Sequence, residues 1–413
     1  MSDQQKILIL NNLCGPLTLM GNTFKQLGFT VAFYECDVNH DLEAAKRFIT
    51  EFDPGFIFQQ NFNVYMSIKD FGEDMLDWIE SSGIKQIFWF LARLDSIGRP
   101  ALFKKWVEQG YFKNAHFFCA SQAMIRFFEP RGLKTDYLPP AIEAPIDTTI
   151  STDTSQDVIS YFSANPAHLH PLFGAASDTP GGIISAMGSE NNMLRYFVSV
   201  IISSFPELDG NKILAVALNP IRTFFATIDV VFANHQRKRE ELRNGLSTLP
   251  GHVSGSILTL MDYAYTDYVS YQIYKQAEPF IKHTSGNTFW EAIDQPTLIM
   301  NNISPSCSLD TPIFQPGLVV SFSHYLSMDA PSRIPLQVMA AGQVSLSEYR
   351  EELPLLVPEE YLATYKNLDE LMMNIEYFSY NKPDTREQRI GAQQHVLANH
   401  TYSTRAKELI DLL

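Results

Sequence analysis

Paired cysteines, long hydrophobic runs and positive charge are all scarce in this chain, and each scarcity narrows what it can be. Its four cysteines, Cys14, Cys36, Cys119 and Cys307, are scattered with no C-x-x-C or other close spacing. They do not read as a zinc site, and free buried thiols in a reducing compartment are expected. The longest apolar stretch, near Tyr196 to Phe205, is bounded by Arg195 and Glu207. It falls short of the ~20 residues that a spanning helix needs. The early run Ile7-Leu8-Ile9-Leu10 stops at Asn11-Asn12 without a cleavage site, so it reads as a first strand and not as a signal peptide. No membrane span and a cytoplasmic location are expected. With 31 Lys and Arg against 46 Asp and Glu, the net charge is −15. That works against the clustered cations a polyanion requires, so nucleic acid is not an expected partner. Several signatures are also missing: G-x-G-x-x-G, the P-loop, G-x-S-x-G, H-E-x-x-H and D-x-D. No metal site and no tightly bound cofactor are expected.

What is present suits a folded α/β protein. At 413 residues the chain exceeds one ordinary core and suits two domains of roughly 150–200 residues each. From residue 6 to about 142, short β-type runs alternate with amphipathic segments, the pattern of a parallel sheet covered by helices. The runs are Ile7 to Asn11, Thr30 to Glu35, Gly55 to Gln59, Gln86 to Leu91, Ala115 to Cys119 and Thr135 to Leu138. The helical patterns between them start with Gly21 to Leu27, and Gly28, Gly83 and Gly132 stand as terminators. A Pro, Asp, Ser and Thr-rich stretch around residue 150 reads as a linker. The resulting division is an N-terminal domain 1–145, a linker 146–156, a second domain 157–385 and a closing helix 386–413. Within the second domain, about 185–285 reads as an aromatic-rich helical insertion. Its long patterns are Met187–Phe205, Thr223–Asn244 and Val253–Ile281.

Two stretches carry a family resemblance. The first is SRIPLQVMAAGQVSLSEY from Ser332, and the second runs from LPLLVPEEYLATYKNLDEL to HTYSTRAKELIDLL. In order and spacing they resemble the C-terminal part of group-1-like GT-B glycosyltransferases, especially the CgeB-like spore-maturation branch. Matching residues are Arg333, Ala340, Gly342, Tyr365, Asn367, Glu370, Leu371, His400, Thr401, Tyr402 and Arg405. Weaker likenesses lie in IKQIFWFLARLDS, in FFCASQAMIRFFEPRGLKTDYLPPAIE and in DVISYFSANP. The resemblance implies two Rossmann-like domains facing a cleft, with a nucleoside-diphosphate sugar as co-substrate and a hydroxyl acceptor on a glycan, protein or small molecule.

The chemistry can also be argued residue by residue. An arginine opening a helix beside a strand end suits a diphosphate, because its guanidinium donates paired, charge-assisted hydrogen bonds beside the helix amides. Arg333 fits that role, and Asp329 is the acid it would pair with if it only caps a surface helix. One turn on, where the family carries a ribose-binding Glu, this chain has Gln337, an uncharged hydrogen-bonding substitute. Gly342 is expected to let the chain pass close to the ligand, Ser345 to touch phosphate, and Asn367 to line the donor site. Gly15, after the first strand, offers the next helix's amides to an anion. Asp95 is displaced from the family's position after Trp89; it is the candidate base for the acceptor hydroxyl, or else a solvated loop carboxylate. Asn165 and His170, in SANPAHLHP, are candidates for the region of the sugar diphosphate, with His170 catalytic. His400 and Tyr402 are expected to pack the final helix. Tyrosines 263, 265, 268, 271 and 274 suggest either a helix core or a homodimer surface on the insertion. The departures at 337 and 95 leave a second reading open, a catalytically degenerate GT-B protein that binds a nucleotide-sugar or a protein partner. A DNA-modifying glucosyltransferase would need a basic groove that an acidic chain does not offer.

Overall fold

The computed structural model describes residues 6–11, 15–35, 41–61, 71–91, 100–144, 158–163, 209–226, 235–250, 253–255, 257–258, 261–262, 317–322, 333–381 and 385–413. The first half alternates strand and helix. In chain order these are β1 (Lys6–Asn11), α1 (Gly15–Gln26), β2 (Thr30–Glu35), α2 (Leu42–Phe52), β3 (Phe56–Gln60), α3 (Phe71–Ser82) and β4 (Lys85–Phe90). Then follow α4 (Pro100–Glu108), β5 (Ala115–Cys119), α5 (Gln122–Phe128) and β6 (Lys134–Tyr137). All six strands are parallel, in the order β2-β1-β3-β4-β5-β6.

The apolar strands are explained by their two buried faces. Side chains alternate along a strand, so Ile7 and Ile9 enter one core with Phe56, Phe58, Ile87, Trp89 and Phe118. Leu8 and Leu10 enter the other, with Ile57, Phe88, Phe90 and Phe117. The second core is a slab of aromatic rings: Phe88 stacks on Phe117 at 5.1 Å, and Phe90 meets Phe128 at 4.9 Å. Such pairs add about 0.5–1.5 kcal/mol each beyond their buried area.

The second half supplies β7 (Val158–Ser163), then helices α6 (Gly210–Ala226) and α7 (His235–Gly245), then β8 (Gly317–Phe322), α8 (Arg333–Ala340) and β9 (Val344–Glu348). The chain continues through α9 (Leu353–Leu356), β10 (Ala363–Tyr365), α10 (Leu368–Glu376), α11 (Arg386–Asn399) and α12 (Tyr402–Leu412). Its four strands are again parallel, in the order β10-β9-β8-β7. Two parallel, Rossmann-like sheets are what the GT-B fold class requires, and the described part of the insertion is helical.

Some details differ from the sequence reading. The first helix begins at Gly15, a turn and a half before Gly21, because Leu17 and Met20 already face the core. The pattern read as one helix over Thr223–Asn244 contains the end of α6 and most of α7, with 227–234 outside the described residues. These helices meet closely: a Cβ on Gly245 would come within 2.8 Å of the Pro220 ring. The patterns Met187–Phe205 and Tyr263 to Tyr274 lie outside the described residues.

The last two helices divide between the halves. α11 packs on the second half through Ala392 and Val396, with Leu336, Met339 and Leu356. α12 instead completes the first half's core through Tyr402, Ala406 and Leu409. Tyr402 meets Trp89 edge-to-face at 6.3 Å, while the Trp89 indole N–H donates to the Leu138 carbonyl at 2.9 Å.

Candidate active site at the facing carboxyl edges

In parallel α/β sheets ligands bind beyond the carboxyl ends of the strands, at the point where strand order reverses. In the first sheet that point lies between β1 and β3, which flank the chain's outward steps in opposite directions. Gly15 is the first residue of α1 beyond that edge. It therefore belongs to the helix and not to a preceding ligand loop, and what it presents there is the amide end of α1.

In the second sheet, α8 runs from the carboxyl edge of β8 back to the amino end of β9. Arg333 opens it on the carboxyl edge, half-buried, and Gln337 follows one turn later, also half-buried. Positions i and i+4 share a helix face, so both side chains belong to one surface. Pro335 sits in the first turn, where a missing N–H breaks no helical hydrogen bond. It also removes one amide donor from the end of the helix, which leaves the Arg333 guanidinium as the dominant positive group that α8 presents.

Gly342 and Ser345 lie at the other edge, contrary to the expected ligand contacts. Gly342 has φ +72°, and its N–H donates to the Met339 carbonyl at 2.9 Å while the Gln343 N–H donates to Val338 at 3.2 Å. That pair of bonds is a Schellman stop, which needs a left-handed residue and favours glycine. It lies one helix length from Arg333, about 12 Å at 1.5 Å per residue. Ser345 is the second residue of β9, roughly 10 Å short of that strand's carboxyl end at ~3.3 Å per residue. It pairs in register with Val319, which packs under Ile334 and Val338 of α8. Ser345 therefore points beneath the helix, and its hydroxyl is buried without a hydrogen-bond partner.

Asn367 follows β10 on the carboxyl edge, where its side-chain oxygen caps α10 by accepting from the Glu370 N–H at 2.9 Å. Glu370 reaches back to the Lys366 N–H at 2.8 Å. This reciprocal capping fixes the turn. Asp95, Asn165 and His170 lie outside the described residues.

A polar cluster that sequence reasoning did not single out lies where the two carboxyl edges meet. Glu348 ends β9 and accepts from Arg350, with nitrogens at 2.8 and 3.0 Å, both residues being buried. Glu352, two residues on, reaches the other half, where its carboxylate accepts from the Ser121 hydroxyl at 2.9 Å and the Gln122 N–H at 2.8 Å. Beside it, burial and then the Glu352 charge push the Tyr137 phenol well above its ordinary range. Ser121 is readable from sequence as a helix N-cap, and its hydroxyl does accept from the Ala123 N–H at 3.1 Å. Its partner 231 residues away leaves no local trace in the sequence.

His400 completes the seam. One ring nitrogen, Nε2, donates to the Leu356 carbonyl at 2.7 Å, and the other, Nδ1, accepts from the Arg405 guanidinium. Burial first, and Arg405 second, push its pKa down to about 4, so the imidazole is neutral. Arg405 also pairs with Glu408 at 2.6 Å. These residues of the HTYSTR stretch bind the halves together, which is a structural role. Among the described residues no group of three or more His, Cys, Asp or Glu could hold a metal ion, and no helix is long and apolar enough to cross a membrane.

Comparison with known proteins extends the picture on one side. Residues 248–411 match the family described as Glycosyl transferase-like. No curated protein matches the chain. Three solved structures align along nearly its whole length. Sucrose-phosphate synthase from Thermosynechococcus elongatus is 9% identical over 99% of this chain and 98% of that one, with a TM-score of 0.48. Anabaena HepE, crystallised with UDP-glucose, is 14% identical over 98% of each chain, with a TM-score of 0.46. The glycosyltransferase SnogD from Streptomyces nogalater is 9% identical over 100% of each chain, with a TM-score of 0.34. At these scores the likenesses say nothing about substrate. The family match stands by itself, and the matched segment contains Arg333, Gln337, Glu348, Glu352 and Asn367.

Proposed function

We propose that the chain transfers a sugar from a nucleoside-diphosphate sugar to a hydroxyl group on a glycan, protein or small molecule, without a protein-held metal. The observation that carries this reading is Arg333, which opens α8 on the carboxyl edge of the second sheet within the glycosyl transferase-like segment. In the reaction the acceptor oxygen attacks the anomeric carbon and the bond to the diphosphate oxygen breaks. The acceptor's proton passes to a base, for which Asp95 is the candidate. Arg333 holds the charge that develops on the departing diphosphate, helped by the remaining amides of the first turn of α8. Gln337, one turn away on the same face, hydrogen-bonds the ribose hydroxyls as a neutral donor and acceptor. His170 and Asn165, which follow β7 in the sequence, are the candidates for contacts to the sugar and its diphosphate. Gly15 and the amide end of α1 are the first half's candidate contribution to binding the anion. The C-terminal motifs fit the CgeB-like branch of the GT-B enzymes, and the domain limits 1–145, 157–385 and 386–413 go with that reading, save that α12 contributes to the first half's core.

The test is release of nucleoside diphosphate from a panel of nucleoside-diphosphate sugars, with EDTA present throughout. Slow donor hydrolysis that a hydroxyl acceptor accelerates, and that Asp95→Asn abolishes, is the expected result. A well-folded protein that releases nothing from any donor contradicts the reading and favours a degenerate, non-catalytic GT-B protein, for which Gln337 in place of a glutamate is the motive.

A further inference from the structure

Among the described residues, contacts of two different characters join the halves. One is the backbone bridge at the hinge: the Ile142 N–H donates to the His400 carbonyl at 2.9 Å, and the Tyr402 N–H donates to the Ile142 carbonyl at 3.1 Å. Ile142 leaves the first half and Thr401 returns to it, so both chain crossings meet here. Around the bridge lies an apolar pad of Ile142, Leu336, Met339, Leu356 and Val357. Apolar packing has no directional preference and permits small rotations about the bridge, and element-terminal residues of this kind are where hinges absorb a change of angle.

The other contact is directional. Glu352, in the turn between β9 and α9, places one carboxylate oxygen on both the Ser121 hydroxyl and the Gln122 N–H. Ser121 is fully buried and Glu352 almost so, and a charge-assisted bond in such surroundings is stronger than one in water. Ser121 follows the carboxyl end of β5 and Glu352 follows that of β9, so this contact spans the two edges on which ligands are expected. Glu348, at the end of β9, is bound to Arg350 of its own half.

We infer that Glu352 is a latch between the halves: a positioning residue whose bonds to Ser121 and Gln122 hold the two carboxyl edges at one angle, and whose release lets the halves turn about the Ile142–Thr401 bridge. The inference does not depend on the identity of the donor, because its readout is a distance. Labels are encoded on the full-length protein at Arg47 on α2 and Asp369 on α10, both exposed, and the distance distribution between them is measured without ligand. Glu352→Ala and Ser121→Ala are each expected to broaden the wild-type distribution while the melting transition stays cooperative. The double variant is expected to broaden it no further than Glu352→Ala alone, since both changes cut one contact. Distributions unchanged in both single variants overturn the latch, and so does broadening in the double variant that equals the sum of the two. If Glu352→Ala does not fold, Glu352→Leu, which keeps side-chain bulk but accepts from neither Ser121 nor Gln122, decides by the same criterion. The donor-release assay is run separately, so its failure leaves the latch standing and the reverse also holds.

Discussion

His400 shows how a single side chain sets a pH dependence. Its folded pKa is depressed to about 4 from 6.5, so between those values the unfolded state binds the extra proton. Stability from this residue is therefore complete above about pH 6.5 and is lost as the pH falls towards 4. At 1.36 kcal/mol per unit the full effect is on the order of 3 kcal/mol. Thermal melts between pH 4 and 7 are expected to show this slope in the wild type and a shallower one in His400→Gln, which cannot titrate there. Equal slopes would remove His400 from the account. Ser345 gives a second residue-scale prediction. Its buried hydroxyl lacks a partner, so Ser345→Ala is expected to leave stability unchanged or raise it by up to about 1 kcal/mol in urea unfolding. A loss of donor binding in that variant would instead return Ser345 to the ligand site. The sequence was informative for where α8 begins, because the strand-like run before Arg333 and the apolar spacing after it mark the start of a helix. It misled for Gly342 and Ser345, because the motif gives order along the chain, whereas the edge of the sheet depends on where the helix stops.

At the scale of elements, α12 is the joint on which the first half depends. The end of the chain lies against β1, β3 and β4, with Tyr402 on Trp89. Tyr402→Ala removes a large buried ring at that joint, and a loss of roughly 3 kcal/mol is expected in chemical unfolding. A loss confined to the second half's transition would contradict the assignment of α12 to the first core. Gly342→Ala is expected to cost about 1 kcal/mol or more, because the helix stop of α8 uses φ +72° there. The strands of the first sheet were readable as short, nearly continuous apolar runs, because both of their faces are buried. Helix starts were less so: Gly15 and Pro16 read as a turn, and only the core contacts of Leu17 and Met20 show that the helix has already begun. β10 has three residues, too few for any periodicity, and was not read as a strand.

For the whole molecule, the account is of two parallel sheets whose carboxyl edges face one another, bridged at Glu352, with the cationic helix end of α8 on one side and the amide end of α1 on the other. The alternation of strands and helices implied both sheets. The contact between them was invisible, because Ser121 and Glu352 are joined by three-dimensional packing across more than half the chain. The central claim is that a nucleoside diphosphate binds where Arg333 opens α8, and the most direct test is calorimetric titration of a panel of nucleoside diphosphates and their sugars into wild type and Arg333→Ala. The account predicts that the wild type binds one nucleotide and that Arg333→Ala, folded to the same melting profile, loses most of that affinity, at least tenfold for a charge-assisted pair worth about 1.5–3 kcal/mol. Equal binding by both proteins, or none by a well-folded wild type, would contradict it.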